Sequence, residues 1–193
     1  MNLQHLFLSR YTVLYDFYLG ELWPTVSEDL MRQRPHPRVN SIAWNLWHLT
    51  RVEDAALNRF IMDRPQVLDE GQWSERLNIP WRHNGSGMTF AEVDELNQRI
   101  NLPALHDYSN AVRQRTLEIV GQLTLDSIDV VLTANRLRVI LFDEGLTHPN
   151  SADLLEVYTG WSKGKFLMNH ALTHSYQHVG EIGVIAGLLG LDF

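Results

Sequence analysis

At 193 residues the chain is long enough to bury a core in one domain, and it has no cysteine, which excludes a disulfide framework and a thiolate metal site. Its net charge of −7 comes with scattered basic residues, so no nucleic-acid partner is expected. No apolar run approaches the roughly 18 residues of a membrane span, and the N-terminal stretch lacks signal-peptide features, so a cytoplasmic protein acting on a small molecule is expected.

Residues 2 to about 31 carry Leu3, Leu6, Phe7, Tyr11, Leu14, Phe17, Tyr18 and Leu22 at helical spacing, with Pro24 expected to kink or restart the helix. Pro35 and Pro37 mark a turn over 33–40 that ends in the capping pair Asn40-Ser41. A second helix follows from Ile42 to about Met62. Its main face holds Ile42, Leu46, Leu49, Ala56, Leu57 and Phe60, with Glu53 in the middle, where a carboxylate is out of place. His48 projects from another side, beside Trp44, Val52 and Ala55. The first half is apolar almost all round, so burial on more than one side is expected, but periodicity does not bring His48 to any other segment.

Residues 63–89 include Pro65, Pro80, Trp73 and Trp81 and read as a long loop, of the kind that is functional or mobile inside compact domains. Thr89 and Glu92 form a capping-box pattern before a short helix over 90–100. The third long helix runs from Leu102 to Leu123, with Pro103 in its first turn and Leu105, Tyr108, Val112, Leu117, Ile119 and Val120 as core candidates. Beyond it, TLDSIDVVL reads as a short helix capped by Thr124, and LRVILF fits a strand or a helical turn equally. There is no internal repeat and no sign of a second domain. Residues 1–193 read as one all-α domain, a bundle of four long helices with substantial connections, which commonly builds sites between facing helices.

The most informative stretch is Trp161 to Leu191, WSKGKFLMNHALTHSYQHVGEIGVIAGLLGL, expected as one long helix. His170, His174 and His178 follow at i, i+4 steps and share an arc of roughly 80° with Glu181. Leu167, Ala171, Ile182, Ile185, Leu188 and Leu189 lie on the same side, so the imidazoles fall on the buried face, where an unpaired polar group is costly. Two consecutive histidine pairs on an apolar face arise by chance roughly 0.02 times in such a chain, and a metal ion would satisfy them. His170 and His178 are about 12 Å apart along the axis, so only one adjacent pair can share an ion. Spacing alone leaves open which pair. Gly180, Gly183 and Gly187 fall on the opposite side and suggest close helix packing, including a dimer contact.

SIAWNLWHLTRVED resembles the second helix of the DinB/YfiT-like proteins, and HALTHSYQHVGEIGVIAGLLG resembles their final helix, with its H-x-x-x-H-x-G-(E/Q)-I signature. The likeness spans the chain in element order, including the Trp/Gly-rich loop before the third long helix. It implies a four-helix bundle with a crossover connection, often dimeric, and a metal triad of His48, His174 and His178 holding nickel or zinc. His170 receives no role from it.

Glu181 and Glu53 are then expected to accept from the ligating imidazoles, and either is a candidate catalytic base. Trp44, Trp47, Trp73 and Trp81 read as packing residues, with the loop pair as a possible pocket wall. Three histidines leave a coordination position open, as in catalytic sites. Such an ion could activate water for hydrolysis or present a low-molecular-weight thiol as a nucleophile. The resemblance to thiol-dependent transferases and isomerases favours the second. A non-catalytic metal-binding stress-response protein is the other class of reading.

Overall fold

The structure, a computed structural model, describes residues 3–191. Among them there is no β-strand, only an isolated antiparallel bridge between Val131 and Ser162. The longest helices are α1 (Leu3–Val13), α2 (Ile42–Ala55), α3 (Leu102–Gln122) and α4 (His174–Leu188). Among the described residues no helix is long and apolar enough to cross a membrane.

α2 is the centre of the packing. It contacts α3, α4 and the short helices Glu28–Arg32 and Phe90–Arg99, and every residue from Ile42 to Ala55 is buried. Its start is set by Ser41, whose hydroxyl accepts from Trp44 N–H at 2.9 Å. α3 starts at Asn101, which accepts from Ala104 N–H at 3.0 Å, with Pro103 in the first turn, where its missing donor costs nothing. Of the core candidates on α3, all are buried except Leu117, which is only partly covered. Thr89 and Glu92 close their capping box reciprocally at the start of Phe90–Arg99.

The structure decides between alternatives the sequence left open in some places and departs from expectation in others. α1 widens into a π-helical turn over Leu14–Leu19 and ends there, while Pro24 lies inside the separate short helix Leu22–Thr25. LRVILF is helical: Ala134–Arg138 continues as a π turn over Val139–Asp143, and Leu137, Ile140 and Leu141 bury at i, i+3, i+4 spacing. Residues 63–89 contain two short helices, Val67–Glu70 and Trp73–Leu77. That segment is tied down by buried charge. Asp54 accepts from the N–H groups of Val67 and Leu68 at 2.8 and 3.0 Å, and Arg51 donates to the Arg82 carbonyl at 2.7 Å.

The long C-terminal helix is not uniform either. It begins with Lys163–Met168, capped by Ser162, and passes through a π turn over Asn169–Thr173 before α4. A π turn winds fewer degrees per residue than an α turn, so the arc drawn over Leu167–Leu189 is broken. Leu167, Ala171, Ile182 and Ile185 are buried, but Leu188 is exposed. α4 stops where Gly190 turns into positive φ (76°) and Leu191 N–H reaches back to the Ala186 carbonyl at 2.9 Å. Among the described residues a Cβ added at Gly180, Gly183 or Gly187 would meet nothing within 4 Å, so these glycines serve no close packing there.

Candidate metal centre

Three imidazoles converge between α2 and α4. His48 Nε2 lies 3.2 Å from His174 Nε2, and His178 Nε2 lies 3.1 Å from the same atom. Each offers a ring nitrogen within 4.8 Å of the others. For bonds of about 2.0–2.1 Å, donors around one ion stand about 2.9–3.4 Å apart when their angles lie between right-angled and tetrahedral. The two measured contacts fit that range.

The hydrogen bonds on the far side of the rings decide which ring nitrogens face one another. His48 Nδ1 donates to the carbonyl of Asn84. His178 Nδ1 donates to Asn45 Oδ1 at 2.7 Å and to Glu181 Oε2 at 2.8 Å. Asn45 Nδ2 is itself held by the Ser41 carbonyl at 2.9 Å, which fixes the amide with its oxygen towards His178. With their protons on Nδ1, His48 and His178 point bare lone pairs at His174. A single proton on His174 Nε2 can serve only one of them.

Extra protons are disfavoured. Burial first, then the neighbouring His178 ring, pulls His48 down to about 3. Burial, followed by the His48 and His178 rings, pulls His174 down to about 2. Three neutral imidazoles sharing one point suit a divalent cation that accepts nitrogen donors. The donor set fits the group.

Local structure enforces this geometry. Trp44 stacks on His48 with ring centroids 4.6 Å apart and planes at 15°. Gly85, at φ +94°, lets the 84–85 backbone reach the ring: a Cβ there would come within 2.5 Å of Trp47 Cζ3 and 3.3 Å of His48 Nδ1. Asn84 N–H is in turn anchored on the Leu146 carbonyl at 3.0 Å. His174 is the member without an orienting partner, since its Nδ1 has no hydrogen bond among the described residues.

Glu181 stands at His178, and the hydrogen bond from that ring is the main reason its carboxyl lies below the usual range. Glu53 is elsewhere. It is wholly buried and accepts from the hydroxyls of Tyr11, Tyr15 (2.6 Å) and Thr116 (2.6 Å), so it contacts none of the three histidines. Burial raises its pKa. The expectation that it accepts from a ligating imidazole is therefore corrected: it pins α1 and α3 onto α2. His170 also lies apart, with Nε2 3.0 Å from Tyr158 OH and rings of Phe60, Trp161 and Phe166 around it. Burial pulls it to about 4. Trp44, Trp47 and Trp73 are core residues, and Trp81 is half-buried against the core.

Sequence reasoning did not single out Asn45 or Asn84. Asn45 could have been found, because it precedes His48 by three positions on a helix buried all round. Asn84 carries no such signal; it acts through its backbone carbonyl.

A family model described as the DinB superfamily matches residues 18–182, a span that includes His48, His174 and His178. Comparison with curated proteins found no match. Among solved structures, a conserved protein of Enterococcus faecalis is similar over 98% of this chain and 99% of its own, at 16% identity and a TM-score of 0.72, which shows a shared fold.

Proposed function

The chain belongs to the DinB superfamily, and from that premise we propose that it is a divalent-metal-binding protein working as an enzyme on a small molecule. The reaction class we favour is thiol-dependent S-transferase or isomerase chemistry, with a low-molecular-weight thiolate as the nucleophile. The observation that carries the reading is the convergence of the His48, His174 and His178 Nε2 atoms on one point. These three residues would hold nickel or zinc, both of which accept neutral imidazole. The ion, when bound, would act as a Lewis acid that brings the pKa of a thiol or water ligand towards neutrality.

The chain's own residues prepare the site. The Asn84 carbonyl, Asn45 and Glu181 keep protons on Nδ1 of His48 and His178, which leaves each Nε2 free to bind. Trp44 covers one face of His48 and excludes water from it. Glu181, whose side chain is 43% exposed, stands behind His178 at Nδ1, so in our reading it takes up a substrate proton only through that ring. Glu53 is enclosed by hydroxyls and has no such route.

An open coordination position is what an enzyme needs, and no fourth His, Cys, Asp or Glu among the described residues joins the triad. This favours turnover over a closed structural site. The test is spectroscopic. Small thiols added to the cobalt- or nickel-loaded protein should produce a sulfur-to-metal absorption band, lost in His174→Ala. A loaded protein that shows no band with any thiol, yet hydrolyses esters or amides, would replace thiol chemistry with water activation.

A further inference from the structure

An open cleft of ≈ 550 Å³ lies between the turn after Pro37 and the outer side of α4, on the far side of His178 from the triad's centre. Its size is that of a small-molecule site. Asn45 and Glu181, the two groups that hold His178 Nδ1, both belong to its wall.

The wall carries one charge of each sign. Arg38 is exposed, and among the described residues no hydrogen bond or ion pair uses its guanidinium. The turn that presents it is nonetheless fixed, because Arg34 Nε donates to the Val39 carbonyl at 2.8 Å and Val39 N–H returns to the His36 carbonyl at 3.0 Å. Glu181 supplies the carboxylate. Val39, Val184 and Ile185 supply apolar surface, and the Asn40 amide makes no hydrogen bond among the described residues. A simple anion would meet Arg38 but be repelled by Glu181; a simple cation would face the reverse. A molecule carrying both charges satisfies both.

We propose that this cleft binds a small zwitterion of the α-amino-acid class, with its carboxylate on Arg38, its ammonium on Glu181 and an apolar side chain against Val39, Val184 and Ile185. An Arg–carboxylate pair of this kind is the stronger sort of hydrogen bond and selects for planar oxyanions. The proposal goes beyond the metal reading and does not depend on it.

The test is calorimetric titration of the full chain with L-leucine, N-acetyl-L-leucine and L-leucinamide. Leucine should bind at least about ten-fold more tightly than either derivative, each of which lacks one charge. Arg38→Met should weaken leucine by at least about ten-fold and leave leucinamide unchanged. Gly180→Leu, at a helical position where a side chain has open space beside the cleft, should abolish leucine binding without changing helicity or metal content. Leucine failing to bind at about 10 mM, acetyl-leucine binding as tightly, or an indifferent Arg38→Met would each overturn the proposal. Repeating the titration in chelator separates the two sites. Leucine binding that persists supports the cleft even if the triad takes no ion, whereas binding that requires added metal assigns the ligand to the triad and overturns the cleft.

Discussion

Arg51, wholly enclosed, donates through Nη2 to the Arg82 carbonyl at 2.7 Å, two residues before the carbonyl that orients His48. Through Nη1 the same guanidinium meets Asp54 at 3.3 Å and Tyr108 OH at 2.9 Å. Removing it would leave Asp54 as an unmatched buried charge and release the backbone that backs the triad. Arg51→Met is expected to cost about 3–5 kcal/mol in denaturant unfolding, as for other broken buried pairs. If the variant folds, its metal affinity should drop about 10–100-fold, the range seen when a ligand's supporting partner is lost. A stable Arg51→Met protein with unchanged metal affinity would show that the 82–84 backbone holds its place unaided.

Purified protein should carry about one equivalent of nickel or zinc by elemental analysis. His48→Ala, His174→Ala and His178→Ala should each empty the site, because two imidazoles leave the ion mostly to solvent. His170→Ala should keep the metal, since that ring faces Tyr158 and the aromatic side chains. Equal loss from His170→Ala would move the site one turn along the helix.

Stability of the chelated protein should fall with acid in a direction set by the buried rings. His170 sits at about 4 in the folded chain because burial disfavours its charge, against about 6.5 when unfolded. Between those values the unfolded chain takes up a proton that the folded one refuses. The contribution, roughly 3 kcal/mol, is therefore complete above pH 6.5 and is lost as pH falls towards 4. Replacing His170 by Gln should flatten the pH dependence of the denaturant midpoint between pH 7 and 5. Parallel curves for the two proteins would argue against a neutral buried His170.

Glu53→Gln should damage stability and spare the metal. The carboxylate accepts three hydroxyl donors, while a Gln has a single acceptor oxygen and brings two donors into the same space. A loss of about 1–3 kcal/mol is expected, with unchanged metal stoichiometry and unchanged activity per folded molecule. A large fall in turnover at full stability would return Glu53 to the chemistry.

What the sequence revealed, and what it hid, follows from how each helix is covered. Caps at Ser41, Thr89 and Thr124 are local chemistry, and the helices begin where those residues stand. His170, His174 and His178 stood out together because polar residues on an otherwise apolar arc are visible in a single helix, and the family resemblance chose the 174/178 pair among them. His48 was hidden for the opposite reason: with Ile42–Ala55 buried on all sides, no arc of α2 distinguishes a ligand from a packing residue, and only the family resemblance singled it out. Glu53 was legible as an anomaly, but its partners on α1 and α3 were not, since tyrosines on an apolar stripe look like core. The π turn over Asn169–Thr173 left no mark in the spacing, and His170 lies within it, facing Tyr158 and Phe166.

His48 and His174 are 126 positions apart in the chain. A cation held by both acts as a removable staple across most of the polypeptide, restricting the denatured ensemble as a covalent bridge over a long loop would. It also dates the loading step. Because synthesis runs from the N-terminus, residue 48 emerges well before residues 174 and 178, so a cation that binds all three would be captured only once the helices around α2 have come together.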